Sequence, residues 1–519
     1  MTKLNLGTMR RLAMGVLLIV PAQMAFVGCT NLTEVPKDAL TPDNAFRSDA
    51  EVLAGVASVY AGLRGTMWEY YNLSEISSDE MIVPTRGQDW YDNGRWLEIY
   101  RQNWTPASGA TLEDVNGAWN VLFSGVARSN LMIDVITKAG GPTAPQTLAE
   151  LRGVRAWYYY MLMDFFGGVP LVTGTQVGAT ARVSRDSLFR FIEAELNAAR
   201  TVLPATRPSD QKGRLTSGAA DAMLAGLYLN AQVYLGTVNS TGLTKGTAKW
   251  AEAIAAADRV INSGQYSLAT DWRKNFTPDN HDSPENIFVI SNTNAQPDLG
   301  MSLPMRTLHY AQLGVQGGPW NGFAAIADTY NAFDPADKRR EMFLVGPQKS
   351  FDTGLLVKDR AGNPLVFTVD IADENKAAEN EGPRFNKFVP LPTALSGASH
   401  PNNFPFFRLA EMYLIKAEAL NEQGNTAAAL VEVNRVRARQ FSPASDLTGL
   451  SQAAARTAIF NERLFEFNAE AKRRQDMIRA GTYTNARRFK TATSGNKVLF
   501  PIPQTQIASN PKLTQNPGY

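Results

Sequence analysis

Between Thr66 and Trp104 the chain carries Trp68, Tyr70, Tyr71, Trp90, Tyr91, Trp96 and Trp104, set among Asn72, Asp79, Arg86, Gln88, Asp89, Asp92 and Asn93. A sugar ring presents C–H groups on its faces and hydroxyls on its edges. A site that holds one therefore needs aromatic platforms flanked by short polar side chains. Trp90, Tyr91 and Trp96 are the expected platforms, with Asp89 and Asn93 as hydroxyl partners, while Trp68 and Trp104 are expected to pin the segment to the body beneath. Gly317-Gly318-Pro319-Trp320-Asn321 is a second candidate, a turn that would hold Trp320 outward with Asn321 beside it. Because aromatics at turns are often buried, a packing role for Trp320 stays open.

Other residue types limit what else the chain can do. Ser77-Ser78-Asp79-Glu80 holds two adjacent acids. A retaining glycosidase needs two carboxyls at ~5 Å across a cleft, and sequence adjacency does not set that geometry. Capping, a hydrogen bond or a charge pair is the expected role. Glu466 and Glu470 lie one turn apart beside a Phe460, Leu464, Phe467, Ala471 stripe, and Glu470 and Arg474 have i, i+4 spacing, so a solvated ion-pair face is expected there. His281, His309 and His400 are isolated, with no helix-spaced ligand partner, which argues against a zinc or iron site. No nucleophile with its base can be named. The expectation is no catalytic residue, no metal and no cofactor.

The N-terminus reads as an address. Lys3, Arg10 and Arg11 precede an apolar run from Leu12 to Val20, and Cys29, the one cysteine in the chain, follows Gly28. Residues 1–28 are read as a lipoprotein signal peptide, Cys29 as the lipidated first residue after cleavage, and 29–45 as a tether containing Pro36 and Pro42. An ordinary secretory cleavage that happens to leave one thiol is the alternative. Loss of Lys3, Arg10 and Arg11 takes the formal charge from +2 to −1, which gives no reason to expect nucleic acid. No later apolar run approaches the ~20 residues of a spanning helix.

These residues must be positioned by helices. Helical periodicity appears at 46–63 (with Asp43 or Asn44 as N-cap), 112–137, 148–165, 184–203, 217–235, 250–262, 406–421 and 426–439. A helix pair cannot bury its own apolar stripe, whereas several stacked pairs can. The expected fold is mainly α, with tetratricopeptide-like helix pairs forming an α-solenoid scaffold. A large, irregular, loop-rich insertion with a few short strands, among them Glu285 to Ile290, interrupts it. The expected organisation is a helical half at 46–265 with the aromatic loop at 66–108, the insertion at 266–403, and a second helical half at 404–519.

Phe407-Arg408-Leu409-Ala410-Glu411-Met412-Tyr413, Asn434-Arg435-Val436-Arg437, Asn461-Glu462-Arg463-Leu464-Phe465-Glu466-Phe467 and Arg473-Arg474-Gln475-Asp476-Met477 resemble the C-terminal half of the SusD/RagB family. So do Leu499-Phe500-Pro501-Ile502-Pro503 and Gln515-Asn516-Pro517-Gly518-Tyr519. Trp119-Asn120 to Asn130 and Phe166-Gly167-Gly168-Val169-Pro170-Leu171 resemble its N-terminal half, and Asp334, Asp337, Arg339 and Arg340 resemble a structural element of it. The resemblance implies an outer-membrane lipoprotein on the cell surface that captures glycans, oligosaccharides or related nutrients. It also implies a partner, a SusC-like TonB-dependent transporter, over which the protein sits as a non-enzymatic lid. The alternatives are a surface-anchored glycan hydrolase and a helical-repeat scaffold that binds proteins.

Overall fold

The computed structural model describes Phe46 and residues 48–107 and 109–519. The expected signal peptide at 1–28, Cys29 and the whole expected tether at 29–45, with Asp43 and Asn44 in it, lie outside the described residues. The first described helix is capped by Ser48. Its hydroxyl accepts from Glu51 N while Glu51 Oε2 accepts from Ser48 N, a reciprocal capping box.

The helices stack in sequence order. Asp49–Gly65 packs on Leu112–Ala139, which packs on Ala144–Phe166, then Arg185–Arg200, Ser217–Leu229 and Trp250–Ile261 in succession. Trp250–Ile261 packs directly on Leu409–Glu422, which carries Thr426–Arg437 and Gln452–Phe467, so the stack continues across the insertion as if it were absent from the chain. The fold is mainly α and tetratricopeptide-like, as the periodicity predicts. Every residue from Val154 to Phe166 is buried, so this part of the helix is covered on all sides within the stack, and its two charged residues are paired there, Arg155 with Glu195 and Asp164 with Arg474, both at 2.7 Å. Its tyrosines remain buried because their hydroxyls find acceptors: Tyr158 donates to Val59 O at 3.0 Å and Tyr159 to Val172 O at 2.8 Å. Gly125 lets the neighbouring helix approach, since a Cβ there would lie 2.2 Å from the Tyr158 ring.

The insertion is fastened by short antiparallel pairings. Asn286–Ile290 pairs with Phe404–Arg408, and Met81–Ile82 pairs with Ala324–Ala325. The second pairing draws the aromatic loop against the Trp320 turn. That loop is less irregular than its composition suggests, for it contains the helices Glu69–Glu75 and Arg95–Arg101. Among the described residues no helix is long and apolar enough to cross a membrane.

The expected solvated face at Glu466 and Glu470 is not found. The helix ends at Phe467, Ala469 and Ala471 take left-handed backbone, and both glutamates are buried. Glu466 accepts from Arg408 at 2.6 Å, Arg439 at 2.7 Å and Arg339 at 2.8 Å, and Glu470 accepts from Lys387 and Arg408. Arg474 turns away from Glu470 to Asp164 at 2.7 Å. Periodicity placed these acids on a helix but could not place Arg339 and Lys387 opposite them from the insertion. Asp337, Arg339 and Glu462 belong to the same buried cluster.

Candidate functional site

Four indoles from three parts of the chain meet at the open side of the Met81–Ile82 and Ala324–Ala325 pairing. Trp68 follows the first helix, Trp90 and Trp96 sit on the excursion after Ile82, and Trp320 is in the insertion. Trp68 and Trp320 have ring centroids 6.4 Å apart at 69°, Trp90 and Trp320 6.5 Å at 46°, and Trp90 and Trp96 5.2 Å at 63°. These rings, with Asp89, Asp92, Asn93, Arg95, Ala110, Glu113 and Tyr310, line an open cleft of about 650 Å³.

The excursion bends sharply. Gly87, Trp90, Asp92, Asn93 and Gly94 all have left-handed φ, between +40° and +84°. For the non-glycine residues such backbone costs ~1–2 kcal/mol each, so the surrounding contacts must over-determine it. Arg86 and Asp89 exchange backbone hydrogen bonds at 2.9 and 3.0 Å, and the Arg86 guanidinium donates to the main chain of Ala378 and Glu381. The Trp90 indole donates to Trp320 O at 2.7 Å and lies against Gly322, where a Cβ would come within 2.3 Å of the ring.

Trp68 is held from beneath. The Arg306 guanidinium sits 4.2 Å from its ring centroid and donates to Met67 O and Asn72 Oδ1, which fixes the indole in the wall. Trp68 thus both packs and lines the cleft, whereas only packing was expected. Trp104 is the pin it was read to be. It is fully buried, packs 4.7 Å from Phe500 and donates to the Tyr519 hydroxyl at 2.8 Å.

The polar rim is acidic. Asp92 accepts the Trp96 indole N–H at 2.6 Å, and Asp89 accepts the Tyr310 hydroxyl at 2.7 Å and Arg360 at 2.5 Å. Partial burial pushes the Asp89 carboxyl up, but Tyr310 and Arg360 outweigh it and hold Asp89 below the usual carboxylate range. Arg95 is turned inward, with Nε and Nη2 on buried Asp114 at 2.5 and 2.8 Å and Nη1 on Glu113 at 3.1 Å. His309, buried beneath Tyr310, is 2.7 Å from Glu379. Burial lowers its pKa against the opposing pull of that carboxylate.

Of the residues singled out from sequence, Trp90, Trp96, Trp320, Asp89 and Asn93 come together in the lining. Trp96 is almost entirely buried and forms the floor, so its ring supports Trp90 more than it faces solvent. Tyr91 is exposed and lies outside the lining, and Asn321 is fully buried. The Asn321 carboxamide donates to Glu379 O at 2.9 Å and accepts from Arg384 at 3.0 Å, which makes it a brace for the Trp320 turn. Tyr310, Arg95 and Glu113 were not anticipated. Tyr310 adjoins the turn in space through a backbone bond from Asn321 N to Leu308 O, a contact with no local sequence signal.

Asp79 and Glu80 do not face the cleft. Asp79 pairs with Arg473 at 2.7 Å, and buried Glu80 accepts from Ala469 N at 3.0 Å while sharing a hydrogen bond with buried Glu75. Both are fixed in the scaffold, as charge pair and hydrogen-bond acceptor.

Comparison with known proteins covers nearly the whole chain. A model described as the SusD family matches residues 279–493 and 481–519, and a second, described as starch-binding associating with outer membrane, matches 39–229. The SusD-like protein P25 of Formosa agariphila is 23% identical, over 94% of this chain and 96% of that protein. The starch-binding protein SusD of Bacteroides thetaiotaomicron is 25% identical, over 86% of this chain and 85% of that protein. Among solved structures, a laminarin binding SusD-like protein superposes with a TM-score of 0.73 at 23% identity, covering 91% of this chain and all of that one. The surface glycan-binding protein A of Bacteroides thetaiotaomicron in complex with laminarihexaose gives a TM-score of 0.72 at 21% identity, again over 91% of this chain and all of that one. Helix order, stack and matched sequence agree: the chain belongs to the SusD/RagB family.

Proposed function

We propose that the protein is a non-enzymatic surface lipoprotein that captures glycans or oligosaccharides in the Trp68, Trp90 and Trp320 cleft. From there it delivers them, as a lid, to a SusC-like TonB-dependent transporter in the outer membrane. The observation that carries this reading is the cleft: angled indoles for the apolar faces of sugar rings, with carboxylates and an amide at the rim for their hydroxyls. Relatives named for starch binding and laminarin binding support it, as does the family description that places members at the outer membrane. Cys29 would supply the anchor. No cofactor or nucleic acid enters the account.

Affinity is expected in the micromolar to millimolar range, about −4 to −8 kcal/mol, weak enough to release ligand into a channel. The test is calorimetric titration of the detergent-solubilised protein with soluble starch, laminarin and other glycans, with chromatography of each mixture over time. Saturable binding without shortened products is the expected result. Product formation would replace this reading with a hydrolase, and absence of binding to any glycan would leave a protein-binding scaffold.

A further inference from the structure

The hydrogen-bonding state of the cleft narrows the ligand further, and this step rests on the binding reading above. Three of the four indole N–H groups are committed inside the wall: Trp90 to Trp320 O at 2.7 Å, Trp96 to Asp92 at 2.6 Å and Trp320 to Gly317 O at 2.8 Å. The Tyr310 hydroxyl donates to Asp89, and Arg95 directs its donors to Asp114 and Glu113. What the lining still presents is mostly acceptor. Asp92 is exposed and uses one oxygen on Trp96. Glu113, whose side chain is 76% exposed, uses one on Arg95, and Asp89 uses one on both Tyr310 and Arg360. Each keeps a second carboxylate oxygen, and Asn93 adds a carboxamide that can donate or accept.

Nearby cations do not reverse this balance. Arg95 is buried against Asp114, Arg306 lies buried beneath Trp68, and Arg360, at the outer rim, is bracketed by Asp89 and Glu379. A sulfate or uronate brought among these carboxylates would meet like charge and would find few free donors to replace its water. A sugar hydroxyl, by contrast, can donate to each remaining oxygen while its ring face lies on Trp68, Trp90 or Trp320.

We infer that this cleft selects uncharged, hydroxyl-presenting saccharides and rejects glycans bearing sulfate or carboxylate groups, with Asp92 and Glu113 as the residues that set the discrimination. The test pairs laminarin and soluble starch each with its own O-sulfated derivative, titrated into the detergent-solubilised protein and into an Asp92→Asn, Glu113→Gln variant at low and moderate salt. Asn and Gln keep an acceptor for Trp96 and Arg95 while removing the charge. The neutral glycan should bind at least tenfold more tightly than its sulfated form. The margin should shrink with added salt, as exposed charges are screened, and shrink again in the variant. Equal or tighter binding of a sulfated form, or a margin unchanged in the variant, overturns the inference while leaving glycan binding intact. Failure of both neutral and sulfated forms to bind overturns the binding reading itself, and the inference with it.

Discussion

The indole N–H of Trp90 donates to the main-chain oxygen of Trp320 at 2.7 Å, joining two residues 230 positions apart into one wall of the cleft. Gly322 completes the joint, because the Trp90 ring occupies the space a side chain would take. Gly322→Ala should therefore push the ring out of the wall. Glycan affinity should fall at least tenfold, while overpacking costs ~1–3 kcal/mol of stability, a shift of a few degrees in Tm for a chain of this size. Calorimetry and thermal melts of the same preparation check this. An unchanged affinity would mean that Trp90 is not a platform.

Glu466 is fully buried and held by Arg408, Arg439 and Arg339. Burial alone would raise its pKa, but the three guanidiniums outweigh that and keep it well below the usual carboxylate range. A depressed folded-state pKa contributes stability that is present above the unfolded value of about 4.3 and is lost as pH falls through the folded one. Glu466→Gln should cost ~3–5 kcal/mol at neutral pH by leaving buried guanidiniums under-compensated, measured by urea unfolding. The deficit should narrow in acid. A loss under 1 kcal/mol would contradict this role.

Glu75 and Glu80 behave oppositely. Burial raises both, Glu75 to about 7 and Glu80 well above its ordinary value, and each lies close enough to the other to share a proton. A raised folded-state pKa gives stability that is fully present below the unfolded value and is lost as pH rises through the folded one. Measured against wild type, Glu75→Gln should therefore gain stability as pH rises from about 4.5 to 7. Chemical denaturation at intervals across that range reads it directly, and a flat difference would mean the pair is not protonated in the native state.

Cys29→Ala should leave glycan affinity unchanged and move the protein from the membrane fraction to the soluble extracytoplasmic fraction. Fractionation and immunoblotting decide it. Retention in the membrane fraction would remove Cys29 as the anchor.

Much of the scaffold was legible because its signals are local. The stripe and small residues of Leu409–Glu422 and Thr426–Arg437, and the Gly and Pro stops after Phe166, need no partner to be read. The cleft was half legible. Aromatic density marked Trp90, Trp96 and Trp320, and short polar neighbours marked Asp89 and Asn93. Burial, however, depends on what lies opposite. Asn321 looks like Asn93 in sequence, yet Arg384 and Glu379 close over it. Glu466 and Glu470 have helix spacing that suits a solvated face, yet Arg339 and Lys387 reach them from the insertion. Glu113 belongs to a helix start that carries no aromatic cue, and only the fold of Arg95–Arg101 against Leu112–Ala139 brings it to the rim.

The central claim, that the indole cleft is where glycan binds, is tested most directly by titrating laminarin and soluble starch into wild type and into a Trp90→Ala, Trp320→Ala double variant with its fold verified by circular dichroism. The account predicts saturable binding by wild type to at least one of the two and a loss of at least tenfold in the variant. Binding of equal strength in both proteins would contradict it.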